Sequence, residues 1–145
     1  MSQVWARDPY QPQTWPRLFT LPEANDMLPE VMPLLLELRS HKVTLESAVV
    51  ALSALTPVMR QNGHAARSRE LEARIQEMTE ELAAGIDQLT AMGIEIKSLD
   101  HGLIDFPSLL EGRVVFLCWR LGEGPVIRFW HDIDAGFAGR RPLPG

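Results

Sequence analysis

Residues 114–131 read VVFLCWRLGEGPVIRFWH and contain the longer strand-like runs of the chain. Two apolar runs of strand-like composition enclose a short segment, residues 121–125, that contains two glycines and a proline. Because glycine takes the backbone angles of a tight reversal without strain, the stretch predicts an antiparallel β-hairpin.

The register of this hairpin follows from the position of its turn. If Glu123 and Gly124 form the tip, the numbers of paired residues sum to 247. The expected pairs are Leu121 with Val126, Trp119 with Arg128, Cys118 with Phe129, and Phe116 with His131. A slip of one residue would move every side chain to the other face of the sheet.

Upstream of the hairpin, the chain has the pattern of two long helices. Thr20 and Glu23 have the spacing of a capping box, which predicts a helix start at about residue 20. Pro29 and Pro33 predict a kink in the first turns. Beyond them, apolar residues spaced by three and four predict a long helix over about 30–59.

A turn signal at residues 61–63 separates this helix from a second one, predicted over about 65–92 with the same spacing. The two apolar seams predict antiparallel packing in the manner of a coiled coil. After Gly93 the residues alternate or form short apolar runs, which is typical of strands. We therefore expect an α+β fold: a long antiparallel helical hairpin (about 20–92), then a small antiparallel β-sheet of three or four strands (about 94–132).

The remaining segments are the two ends of the chain. Residues 1–17 are polar and rich in proline, which predicts an extended N-terminal arm. Residues 18–145 are expected to form a single domain, which closes with a turn segment at 133–145.

Composition excludes several classes of protein. The chain has 145 residues, of which 46% are apolar, enough for one domain with a real core. The formal net charge of −5 opposes general binding to nucleic acid or to anionic membranes. The single cysteine, Cys118, excludes an intramolecular disulfide and a Cys-rich zinc site. Since the first thirty residues also lack a secretion signal, we expect a cytoplasmic protein with no nucleic-acid or membrane partner.

Both faces of the predicted hairpin are largely apolar, and a pair of helices covers only one of them. The other face needs the N-terminal arm, the segment after His131, or a second copy of the chain. Further apolar residues also widen the stripe of the first helix beyond a single seam. These surfaces predict a homo-oligomer, most simply a dimer.

Several segments along the chain form a recognisable set. They are Phe19-Thr20-Leu21-Pro22-Glu23-Ala24-Asn25 with Leu28-Pro29, Gly102-Leu103-Ile104-Asp105-Phe106-Pro107, Leu117-Cys118-Trp119-Arg120-Leu121-Gly122-Glu123, Trp130-His131, and Gly136-Phe137-Ala138-Gly139-Arg140 with Pro142. This set resembles a small bacterial family known as domain of unknown function 2203, over about Phe19 to Leu143. The resemblance implies a bacterial cytoplasmic protein of this layout and carries no activity with it.

The strongest metal-ligand candidates lie around the end of the hairpin. His131, Asp105 and Asp134 supply the nitrogen and oxygen donors that a divalent metal takes. The alternative is that His131 caps its strand through a hydrogen bond and that Asp134 sits in a turn, where aspartate is favoured.

A second interpretation is an aromatic and cationic cleft for a carboxylate or phosphate. Its candidate residues are Asp105, Trp119, Arg120, Trp130, His131 and Arg140. A contact of Arg128 over Trp119 fits either this cleft or a purely structural role. Cys118 has apolar predicted neighbours, which favours a buried, inert thiol over a nucleophile. Phe137 is expected to plug the underside of the sheet.

No group of residues combines a nucleophile, a base and an oxyanion donor, so catalytic residues are not identified. The first hypothesis for function is an oligomeric interaction or scaffold module. The second is a metal- or small-anion-binding protein that uses Asp105, Arg120 and His131 with a divalent metal as the cofactor. An enzyme of unknown reaction is the third.

Overall fold

The computed structural model describes residues 15–144, so residues 1–14 of the expected arm lie outside the described part. Helix α1 (Leu21–Ser53), the short helix α2 (Pro57–Gln61) and helix α3 (Ala65–Ala91) come first. Leu38 of α1 lies against Gly85 of α3, and Ala48 lines a groove with Leu71. The order of these contacts shows that α1 and α3 are antiparallel. No helix within residues 15–144 has the length and apolar character needed to cross a membrane.

The two ends of α1 are set by local chemistry. The capping box is confirmed: Glu23 N donates to Thr20 Oγ1 (3.2 Å), and Thr20 N donates to Glu23 Oε1 (2.8 Å). The prediction that this helix reaches residue 59 was wrong, because α1 ends at Ser53. Pro57 has no N–H for the Ser53 carbonyl and its ring clashes there, so a new helix begins with Thr56 as its N-cap.

The sheet has five antiparallel strands in sequential order. They are β1 (Glu95–Ser98), β2 (Leu103–Leu110), β3 (Arg113–Arg120), β4 (Phe129–Asp132) and β5 (Arg141–Pro142). The α+β fold is confirmed, with one strand more than the expected three or four. The additional strand has two residues, which pair with Phe129 and Trp130 of β4, and so short a strand leaves no periodic pattern.

The predicted register is confirmed in the part of the hairpin far from its turn, where Phe116 pairs with His131 and Cys118 with Phe129. The two predicted pairs nearest the turn, Leu121 with Val126 and Trp119 with Arg128, do not form, because residues 121–128 make a wide loop. Trp119 is 1% exposed and donates its Nε1 hydrogen to the Gly124 carbonyl oxygen (2.9 Å). The expected contact of Trp119 with Arg128 is therefore absent, and the Arg128 side chain is exposed.

The two faces of the sheet are covered by different parts of the chain. The helices cover the face that carries Ile104, Phe106, Leu117 and Trp119, which join α1 and α3 in one apolar core. Ile127, which lies in the loop between β3 and β4, also packs in this core. The other face carries Asp105, Phe116, Cys118 and His131. Trp15 before α1 and Arg140 after β4 lie over this second face.

The segment before α1 crosses from one face to the other along an edge of β2. Strand β1 pairs only with residues 103–105 of β2, which leaves the later part of β2 free on that side. Phe19 N donates to the Pro107 carbonyl (2.7 Å), and Ser108 Oγ donates to the Phe19 carbonyl (2.6 Å). The missing N–H of Pro107 faces this edge, so the ladder between β2 and β3 continues through the proline.

Candidate metal centre

Three potential metal ligands lie together on the sheet face opposite the helices. Asp105 comes from β2, Cys118 from β3 and His131 from β4. One ligand atom of each lies within 4.8 Å of the other two. The residues are 0%, 0% and 2% exposed, so the cluster is inside the protein. Asp105 and Cys118 are direct cross-strand partners, and the imidazole reaches them from one strand further along.

The hydrogen bonds of His131 fix the state of its ring. Nδ1 lies 2.8 Å from the carbonyl oxygen of Asp132, and because a carbonyl only accepts, Nδ1 carries a hydrogen. Nε2 lies 3.0 Å from Oδ2 of Asp105. A lone pair on each of these two atoms would repel at that distance, so a proton or a metal ion lies between them.

The pKa of His131 follows from this environment. Burial lowers the pKa of the ring, but the hydrogen bonds to Asp105 and to the Asp132 carbonyl raise it by more. The net shift is upward. Without a metal, the Asp105 carboxylate therefore favours the imidazolium form of the ring.

The two oxygens of the Asp105 carboxylate have different surroundings. Oδ2 faces His131, and the Lys97 ammonium lies 4.0 Å from it. Oδ1 is buried and has no hydrogen-bond partner within residues 15–144. A buried carboxylate oxygen without a partner costs free energy unless a cation or a donor reaches it.

Cys118 is the third member of the cluster. Burial, with the Asp105 carboxylate beside it, raises the pKa of the Cys118 thiol to about 12. Arg140 Nη1 lies 3.9 Å from the sulfur and opposes this shift only in part. The thiol is therefore neutral at physiological pH and becomes a thiolate only if a metal replaces its proton.

Arg140 is held in place above the sulfur. Its guanidinium lies 4.1 Å from the centre of the Phe129 ring and 4.0 Å from that of Phe137, and it pairs with Glu123 at 2.8 Å. Phe137 is 39% exposed, so the expectation that it plugs the underside of the sheet was wrong. Its ring packs on arginine side chains instead of entering the core.

The structure brings together only some of the residues that sequence reasoning selected. Asp105, His131 and Arg140 lie at the centre, and exposed Arg120 ends the strand that carries Cys118. Trp119 and Trp130 lie on the opposite face, among the core residues. Asp134 is exposed and lines a separate groove with Trp15 and Arg113.

Sequence reasoning did not select Cys118 as a ligand. The signal that locates it is the Glu111-Gly112 turn, where both residues have positive φ (49° and 81°), as in a two-residue hairpin turn. A turn at these residues pairs numbers that sum to 223 and places Asp105 opposite Cys118. Combined with the register of the next hairpin, this places Asp105, Cys118 and His131 on one face.

Comparison with known proteins gives a family and no further relatives. The model of a family described as an uncharacterised conserved protein, domain of unknown function 2203, matches residues 17–143. No curated protein matches the chain, and no solved structure matches it.

Proposed function

The chain belongs to the family of uncharacterised conserved proteins named domain of unknown function 2203, and we propose that it is a metal-binding protein whose ligands are Asp105, Cys118 and His131. The observation that carries this proposal is the buried approach of His131 Nε2 to Asp105 Oδ2, with the cysteine sulfur beside them. A proton or a metal ion must lie between these two atoms, and the sulfur beside them gives a metal ion a third ligand.

The surroundings of the cluster support a metal in three ways. In a tetrahedral zinc site with bonds of about 2.1 Å, neighbouring ligand atoms lie roughly 3.4 Å apart, close to the 3.0 Å between Nε2 and Oδ2. The bond from Nδ1 to a backbone carbonyl is the arrangement that usually orients a metal-binding histidine. The unpartnered Oδ1 of Asp105 offers a further acceptor.

Nearby cations do not prevent metal binding, because each has its own carboxylate. Lys97 pairs with Glu95 at 2.7 Å, and Arg140 pairs with Glu123 at 2.8 Å. One nitrogen, one oxygen and one sulfur donor suit Zn²⁺. Three protein ligands also leave a fourth position, which a water molecule or a ligand takes in catalytic zinc sites.

Elemental analysis by plasma mass spectrometry tests the proposal on tag-free protein purified without chelator. We expect close to one metal ion per chain in the wild type, and loss of the metal in His131→Ala and in the nearly isosteric Cys118→Ser. The matched control is His64→Ala, which changes an exposed histidine before α3 and is expected to keep the metal. Wild-type protein without metal, even after incubation with Zn²⁺, would contradict the proposal.

We also propose, as a second candidate function, that the protein is a homodimer that associates through α1. Leu36, Val43 and Val50 recur every seven residues and are 50%, 59% and 68% exposed. In an antiparallel pair centred on Val43, Leu36 of one copy packs on Val50 of the other. Arg39, which forms no ion pair within residues 15–144, then lies near Glu46 of the second copy. Glu46 has only a long ion pair of 3.8 Å with Lys42 in its own chain, so charge complementarity supports a second copy as the partner.

Light scattering after size exclusion tests this second candidate. The wild type is expected at twice the chain mass of 16.3 kDa, and Val43→Glu at the mass of one chain. Val58→Glu changes a valine of similar exposure on α2, outside the stripe, and is expected to remain dimeric. A monomeric wild type, or equal dissociation in both variants, would exclude this dimer.

A further inference from the structure

A small cavity of about 290 Å³ opens beside the metal centre. His101, Leu103, Arg120 and Phe137 line it. Leu103 and Arg120 are cross-strand partners, and each lies two residues from a centre residue, Asp105 or Cys118, on the same face of the sheet. Two strand residues span roughly 7 Å, so the cavity and the centre are neighbours.

We propose that this cavity binds a small oxyanion, that is, a phosphate or carboxylate group. Arg120 is the main reason, because its guanidinium has no ion-pair partner within residues 15–144. The nearest acidic residue along the chain is Glu123, and its carboxylate is already engaged. It accepts from the backbone N–H of Arg120 at 2.9 Å and pairs with Arg140. The Arg120 guanidinium is therefore available to a ligand.

His101 supplies a second donor. Its backbone N–H donates to Ser98 Oγ (3.3 Å), so the serine hydroxyl hydrogen is available to Nδ1 of the same histidine (2.9 Å). When Nδ1 accepts from Ser98, Nε2 carries a hydrogen that it can donate into the cavity. A guanidinium and an imidazole N–H in one cavity match the oxygens of phosphate and carboxylate groups.

The rest of the cavity limits the size of the ligand. The Phe137 ring centre lies 5.8 Å from the Arg120 guanidinium and, with Leu103, makes an apolar wall. Pockets for drug-sized ligands begin at about 300 Å³, so this cavity holds only a small ligand or one group of a larger one. Between the lining residues His101 and Leu103, Gly102 takes φ 61° and packs so closely on Leu121 that a Cβ there would overlap it.

Calorimetric titration with inorganic phosphate and with succinate, at constant ionic strength, tests the proposal. We expect saturable binding of at least one of them to the wild type, weakened about tenfold or more in Arg120→Gln. His101→Ala is expected to weaken binding as well. Arg128→Gln removes another exposed arginine, outside the cavity, and is expected to bind like the wild type.

This site does not depend on the metal, and the experiment separates the two proposals. Repeating the titration after EDTA treatment should give the same affinity if the arginine holds the anion. Binding that disappears with EDTA and is unchanged in Arg120→Gln would assign the anion to the metal and overturn the proposal. Absence of saturable binding of either probe to the wild type would also overturn it.

Discussion

Nε2 of His131 on β4 lies 3.0 Å from Oδ2 of Asp105 on β2, so the imidazole reaches across the strand between them. The contact exists only when β2, β3 and β4 are assembled in register. Both side chains are almost fully buried, so each is the main partner that compensates the other's charge. The candidate metal centre therefore forms only when the three strands are correctly paired.

Removal of either partner of the Asp105–His131 pair should lower the stability of the protein. Asp105→Ala leaves the buried histidine without its counterion, and we expect the free energy of unfolding to fall by about 3 kcal/mol or more. Urea unfolding measures the change. Asp100→Ala is the control, because it breaks an exposed, solvent-screened ion pair with Lys42 and should cost far less. Equal effects of the two substitutions would contradict the assigned role of the buried pair.

The reactivity of Cys118 should reflect its burial. A pKa of about 12, against an ordinary value of 9.0, leaves about 1000-fold less thiolate at pH 8. We expect iodoacetamide to alkylate the native protein more slowly than the urea-unfolded protein by at least this factor. The reaction is followed by mass spectrometry in EDTA, so that no metal protects the sulfur. Alkylation at the unfolded rate would contradict this account of the thiol.

Phe116 and Phe137 should differ strongly in their effect on stability. Phe116 is fully buried between Trp15 and His131, and Phe116→Ala is expected to cost about 3–5 kcal/mol. Phe137 is 39% exposed and packs on arginines, so Phe137→Ala should cost about 1 kcal/mol. Chemical denaturation compares the two variants, and a larger loss for Phe137→Ala would be inconsistent with this packing.

Features governed by neighbours in sequence could be predicted well. The capping box at Thr20 depends on residues within one helical turn. The confirmed pairs of the hairpin between β3 and β4 depend on the position of a single chain reversal. The conformation next to the turn of this hairpin depends on distant groups. Asn25 of α1 accepts the Ile127 N–H, and the Trp119 indole binds the Gly124 carbonyl, so the loop is held by contacts that no local pattern contains.

Proline was the least reliable signal, because its effect depends on what lies beside it. Pro29 and Pro33 fall within a continuous α1, whereas Pro57 begins a separate helix. Pro107 lies in the middle of β2, since the side that lacks an N–H faces the Phe19 segment. Asp105 and His131 carried recognisable ligand chemistry in the sequence. Placing Cys118 beside these two residues required the β2–β3 register as well as the β3–β4 register.

The most direct test of the metal centre is titration of the metal-free protein with Co²⁺, followed by absorption spectroscopy. A cobalt–thiolate bond gives charge-transfer absorption in the near ultraviolet. We expect this absorption to grow to saturation at one Co²⁺ per chain, to be absent in Cys118→Ser and to persist in His64→Ala. Absence of saturable absorption in the wild type, or the same spectrum in Cys118→Ser, would contradict a centre built from Asp105, Cys118 and His131.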